Sequence, residues 1–108
     1  MESEFNHRQL EQSKLSQYQF IYQCAQLCFV DVIFLYGSRA RGDFLDRSDI
    51  DLAIDCPNAS DNDWQQVLST MDSADTLLNI DVVRLDQISS DLKKRIDRDK
   101  VWLYKRNS

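Results

Sequence analysis

The sequence predicts an α/β fold of the α+β kind: a small mixed β-sheet with helices packed around it, in the order α-β-α-β-α-β-α. Three observations predict it. Short β-rich runs stand at Val30 to Tyr36, Asp49 to Asp55 and Asn79 to Leu85; the stretches around them carry apolar residues at helical three-and-four spacing; and polar turns separate the two kinds. At 108 residues there is room for one modest core, so residues 1–108 are expected to form a single domain. The 43% hydrophobic content, with five Phe, four Tyr and two Trp, supplies apolar bulk, and two Gly and one Pro leave little scope for disorder.

Residues 1–8 show no periodicity and are expected to be frayed. From Gln9 to Cys28, Leu10, Tyr18, Ile21, Tyr22, Ala25 and Cys28 mark an amphipathic helix. Its Tyr18 and Tyr22 stripe is expected to pack on the sheet, with a partner-binding face as the alternative. Val30 to Tyr36 is the first strand, apolar enough to be covered on both faces. Ser38 to Phe44 makes a short helix or helical turn, and Asp46, Arg47 and Ser48 turn the chain into the second strand, Asp49 to Asp55. If Ser38 and Asp49 are to face one substrate, the first strand must end where the second begins, which makes them antiparallel.

Cys56 to Asp63 is a loop containing Pro57 and Asn58, and Asp63 is expected to cap a helix from Trp64 to Asp72 that turns Trp64, Val67, Leu68 and Met71 inward. A crossover through that helix makes the third strand, Asn79 to Leu85, parallel to the second. Asp81 then arrives at the same end of the sheet as Asp49 and Asp51. A last helix is expected over Ser90 to Lys100, capped by Ser89 or Ser90, with Leu92, Ile96 and Val101 inward. The tail VWLYKRNS reads as a final short strand or turn.

The chemistry concentrates between Leu35 and Asp55, LYGSRARGDFLDRSDIDLAID. Side chains alternate along a strand, so Asp49 and Asp51 share one side while Ile50, Leu52 and Ile54 fill the other. Two carboxylates about 7 Å apart at the edge of a core repel unless a cation joins them. Hard oxygen ligands of this type suit magnesium or manganese. Gly37 permits a sharp turn, and Ser38 follows it at a helix start, where amides and a hydroxyl suit a phosphate. Asp55 and Asp86 are expected to be solvated.

Composition excludes several classes. Cys24, Cys28 and Cys56 are odd in number and lack Cys-x-x-Cys spacing; with His7 the only histidine, reduced cysteines in or near the core are expected rather than a zinc site, and a histidine-dependent triad is poorly supported. No apolar run approaches a membrane span, and the start MESEFNHRQ lacks the layout of a signal peptide, so a cytoplasmic location is expected. The formal charge is −5, and residues from Arg84 onward carry eight Lys and Arg against four Asp, which leaves the first 83 residues strongly acidic. That balance disfavours autonomous nucleic-acid binding and suits a small substrate carrying its own metal, or a basic protein partner.

GSRARGD followed by SDIDLAID resembles the signature of the nucleotidyltransferase superfamily that includes DNA polymerase β, and especially its minimal nucleotidyltransferase (MNT) branch. The resemblance implies the nucleotidyltransferase fold, with Gly37 and Ser38 on the nucleotide phosphates, Asp49 and Asp51 on the metals, and Asp81 as the third acidic residue. It implies two Mg2+ ions, or Mn2+, and attack of a hydroxyl on the α-phosphate of ATP. To this we add that Arg39 or Arg41 would neutralise the departing pyrophosphate, against a bland reading of both as surface arginines. Members of the minimal branch are commonly encoded beside a HEPN-domain toxin and act as its antitoxin by transferring AMP to a tyrosine hydroxyl, which makes such a toxin the expected partner. Two other readings stay open: an antitoxin that neutralises by binding alone, and a nucleotidyltransferase acting on a small molecule such as an antibiotic.

Overall fold

The computed structural model describes residues 3–107. Five strands form one sheet in the order β1-β5-β2-β3-β4, where β1 is Ser3–Phe5, β2 Val32–Tyr36, β3 Ile50–Asp55, β4 Ile80–Arg84 and β5 Val101–Arg106. The helices are α1 His7–Gln12, α2 Phe20–Ala25, α3 Ser38–Arg41, α4 Asp61–Asp72 and α5 Ser90–Asp99, and a 3-10 turn follows β4 at Leu85–Gln87. The α+β class is the one expected. β2 pairs antiparallel with β3, and β3 pairs parallel with β4, as the alternation of side chains and the helical crossover demanded.

Two expectations at the N-terminus are corrected. Ser3–Phe5 is not frayed: it pairs antiparallel with β5, and the Phe5 ring packs 4.8 Å from Tyr22 and 5.0 Å from Tyr104, centroid to centroid. Residues 1 and 2 lie outside the described residues. The single helix expected over Gln9 to Cys28 is broken in two. The Ser13 hydroxyl donates to the Gln9 carbonyl at 2.6 Å, and Lys14 takes a left-handed φ of 60°, which ends the helical path. Leu15 then folds back to donate to the Leu10 carbonyl. The chain regains helix only at Phe20, after the Gln19 amide is captured by the Asp75 carboxylate at 3.0 and 3.1 Å.

α4 starts earlier than expected because Ser60 is its cap. The Ser60 hydroxyl accepts from the Asp63 amide while the Asp63 carboxylate accepts from the Ser60 amide, a reciprocal box that satisfies two otherwise orphaned donors. At α5 the cap is Ser89, and Val101 belongs to β5 rather than to the helix. The tail is neither a turn nor an edge: β5 lies inside the sheet, hydrogen-bonded to β1 on one side and β2 on the other.

The strands bury two unequal faces. Ile33, Leu35, Ile50, Leu52, Ile54, Leu103 and Tyr104 join Leu10, Phe20, Ile21, Val67 and Met71 from α1, α2 and α4 in the main core. A smaller cluster of Tyr36, Ala53 and Ile96, with Leu92 and Val83 at its margin, packs α5 on the opposite face. Cys24 and Cys56 are buried as expected, with burial raising their pKa values to about 12 and about 11, whereas Cys28 is exposed. Among the described residues no helix is long and apolar enough to cross a membrane.

Because Leu103 is fully buried on an interior strand, Leu103→Ala is expected to cost about 2–5 kcal/mol in a urea titration. A cost below about 1 kcal/mol would mean that β5 is a detachable appendage.

Candidate active site

The end of β2 and the start of α3 meet at Gly37, whose φ of 74° lies in the region that L side chains rarely adopt. A Cβ at Gly37 would collide with the Asp51 carboxylate, so the bare backbone is required both for the turn and for the close approach. The Ala40 and Arg41 amides bond back to the Gly37 carbonyl, which leaves the Ser38 and Arg39 amides at the helix start without an intrahelical partner. Gly42, at φ 92°, closes the short helix by donating to the Ser38 carbonyl at 2.9 Å.

Sheet register does the rest. Tyr36 of β2 stands opposite Asp51 of β3, and Asp51 stands opposite Asp81 of β4, so a phenol and two carboxylates form one row across three strands. Asp49 lies just before β3 and is exposed. Burial raises the pKa of Asp51, Asp81 and Asp49 raise it further, and Arg95 and Arg41 pull it partly back. Burial and then Asp81 and Asp51 push the Tyr36 phenol up to about 12.

These side chains line a cleft of about 160 Å³ formed by Tyr36, Gly37, Asp51 and Asp81, with Arg41, Leu92, Arg95 and Asp99 on its other wall. A larger hollow of about 390 Å³ lies between α2 and the β1–β5 pair, around Phe5, Tyr22, Tyr104 and Arg106. Among the described residues no carboxylate lines it, whereas the smaller cleft holds Asp51, Asp81 and Asp99.

Of the residues singled out in the sequence, the cleft brings together Gly37, Arg41, Asp51 and Asp81; Ser38 and Asp49 do not line it, although Ser38 adjoins Gly37 and the exposed Asp49 acts electrostatically on Asp51. Arg39 is the correction. It is 4% exposed, and its guanidinium donates to the carbonyls of Ser13 at 2.9 Å, Asp46 at 3.1 Å and Ser48 at 3.0 and 3.2 Å. Phe44 stacks beneath it at 4.8 Å. Arg39 therefore ties the α3 loop to the end of α1, with four of its five N–H groups on backbone carbonyls, and it does not line the cleft. Arg41 is exposed to the cleft and pairs with Asp43 at 3.2 Å and Asp99 at 2.9 Å.

Sequence reasoning missed Tyr36, Arg95, Arg98 and Asp99. Tyr36 carried a signal, since it shares strand parity with Asp51 through the antiparallel register. Arg95 and Arg98 recur after Leu92 at three-residue steps, with Asp99 four residues after Arg95, but only the docking of α5 tells which of its faces meets the cleft.

Among the described residues, no group of three or more His, Cys, Asp or Glu side chains is gathered closely enough to hold a metal ion unaided. The donors nevertheless fit a divalent cation in kind. Asp51 and Asp81 are neighbouring hard-oxygen ligands whose repulsion already disfavours the ionised Asp51, and Asp49 adds a third carboxylate within electrostatic reach. Asp51 and Asp81, with Asp49 two residues before Asp51, are the residues that would hold Mg2+.

Two outcomes follow from this geometry. Gly37→Ala is expected to lower stability by about 1–3 kcal/mol, from the left-handed backbone and the collision with Asp51; an unchanged urea midpoint would mean that Asp51 swings aside freely. Asp51 binds its proton more tightly folded than unfolded, so its contribution to stability falls as pH rises from the ordinary aspartate value of 3.8 through its raised value. Asp51→Asn should accordingly raise the melting temperature at pH 7, and a lowered one would mean that the carboxylate is stabilised there.

Residues 19–108 match the family described as Polymerase beta, Nucleotidyltransferase. No curated protein matches the chain in sequence. Among solved structures, a toxin–antitoxin crystallised with AMP-PNP is similar over 82% of this chain and 73% of its own, with 23% identity and a TM-score of 0.59. A mutant of the toxin–antitoxin MntA–HpeT is similar over 81% and 72%, with 21% identity and a TM-score of 0.57. A Sulfolobus solfataricus protein described as a nucleotidyltransferase is similar over 89% and 82%, with 26% identity and a TM-score of 0.54. With five-sixths of its length matched and its Gly37 turn packed on a paired-carboxylate strand, the chain belongs to the polymerase β nucleotidyltransferase family.

Proposed function

We propose that the protein is an antitoxin that transfers AMP from ATP to a tyrosine hydroxyl of a HEPN-domain toxin, working as a single domain in the cytoplasm. The observation that carries the reading is the row of Asp51 and Asp81 on adjacent strands, packed against the Gly37 turn. Family membership supports the transfer of a nucleotidyl group. The similar folds in MntA–HpeT and in the toxin–antitoxin crystallised with AMP-PNP support a toxin partner and an adenine nucleotide.

The residues divide the work. Ser38 and the amides at the start of α3 bind phosphate oxygens, and Arg41 offsets charge on the leaving group. Asp49, Asp51 and Asp81 would hold Mg2+, two ions or Mn2+ in their place, and when bound the metal would supply Lewis-acid stabilisation of the phosphates and lower the pKa of the attacking hydroxyl. The acceptor oxygen bonds to the α-phosphorus, the bond from that phosphorus to the bridging oxygen breaks, and pyrophosphate leaves. The hydroxyl proton passes to a site carboxylate or to water. Tyr36 stays protonated at neutral pH, since its pKa is about 12, and is not the base.

The test incubates the protein with Mg2+, α-labelled ATP and the candidate toxin, and then locates the label. AMP on a toxin tyrosine is expected, with Asp51→Asn lowering the rate by at least about 100-fold and chelation abolishing it. Neutralisation without label would replace catalysis by binding, and label on a small molecule in the absence of toxin would move the protein to the antibiotic-modifying type.

A further inference from the structure

With Arg39 drawn into the fold, the cations of the cleft are Arg41 of α3 and two arginines of α5. Arg95 and Arg98 stand three residues apart and line the cleft with Gly37, Asp51 and Asp81. Arg95 is exposed, and among the described residues no carboxylate lies within ion-pair distance of it. It acts on Asp51 and Tyr36 from across the cleft, favouring the ionised form of each. Arg98 bonds through Nε and Nη2 to Asp99 at 3.1 and 3.3 Å, and the same carboxylate accepts Arg41 Nη1 at 2.9 Å. The Asp99 side chain is only 8% exposed, so one sheltered carboxylate clamps an arginine of α3 and an arginine of α5 to a single wall.

The cleft thus has two poles. Asp51 and Asp81 form the end that attracts a cation; Arg41, Arg95 and Arg98 form the end that attracts an anion. Its volume of about 160 Å³ is below the roughly 300 Å³ at which pockets for whole small molecules begin, and suits a short chain of phosphates. We infer that Arg95 and Arg98 grip the β- and γ-phosphates of the bound nucleotide, and that Asp99 is the positioning residue that holds Arg98 and Arg41 toward them. The assignment rests on the reading of this cleft as a nucleotidyl-transfer site. As the α-phosphorus parts from its bridging oxygen, the electron pair stays on pyrophosphate, and the two guanidinium groups stabilise the charge that grows there.

Calorimetric titration of the full chain with ATP and with AMP, in Mg2+, tests this directly. The exposed residue Lys94 supplies the control, as Lys94→Ala. The double change Arg95→Ala plus Arg98→Ala is expected to weaken ATP binding by about tenfold or more per arginine and to leave AMP binding unchanged. Asp99→Asn should weaken ATP binding to a smaller extent, and Asp99→Glu should restore it, which a merely structural role for the carboxylate would not produce. Unchanged ATP affinity in the double variant, or equal losses for ATP and AMP, overturns the assignment. If the unaltered protein binds no ATP, the transfer reading fails and this one with it; if it binds ATP and labels its partner while the double variant performs equally, only the role of α5 fails.

Discussion

The contact between the Asp51 carboxylate and the bare Cα of Gly37 is the constraint on which the rest of the site depends. It requires the residue that follows β2 to lack a side chain, because any Cβ would occupy the space the carboxylate already fills. It also fixes Asp51 on a face shared with Tyr36 and Asp81, where burial and like charge both disfavour ionisation. The fold bears that cost because the opposite face of the same strand carries Ile50, Leu52 and Ile54, all fully buried. The strand cannot slip by one residue to relieve the repulsion without turning those three out of the main core and Asp51 into it.

How much was legible in the sequence follows from how local each determinant is. The three strands around the cleft and their relative directions were readable, since alternation, the Gly-Ser corner and a helical crossover are short-range features. The break in the N-terminal helix was not. It depends on a left-handed Lys14 and on an amide captured by Asp75, 56 residues further on. Nor was the interior position of β5, whose partners lie at 3–5 and 32–35. Arg39 and Arg41 look interchangeable in GSRARGD, yet two residues of helix turn one toward three backbone carbonyls and the other toward the cleft.

The uneven distribution of charge acquires a place in the fold. The basic C-terminal quarter is largely α5 and β5, and α5 lays its arginines across a cleft whose floor comes from the acidic part of the chain. Asp99 belongs to the basic segment but is held by Arg98 and Arg41, and those hydrogen bonds keep its carboxyl below the usual aspartate range. Asp99 thus pairs with Arg41 and Arg98, while among the described residues Arg95 faces Asp51 and Asp81 without an ion pair. A bound group carrying both signs satisfies such an arrangement better than a simple cation or a simple anion does.

The interior location of β5 has a consequence for the order in which the molecule can be completed. Residues 32–99 contain every strand that floors the cleft, together with the helix that covers it, and all are synthesised before residues 101–106 emerge. Until then β2 is an edge strand, its hydrogen-bonding groups open to any extended segment nearby. The half-made sheet is therefore most prone to mispairing when its functional part is already in place, and a chaperone or an early-binding partner would shield it best along β2.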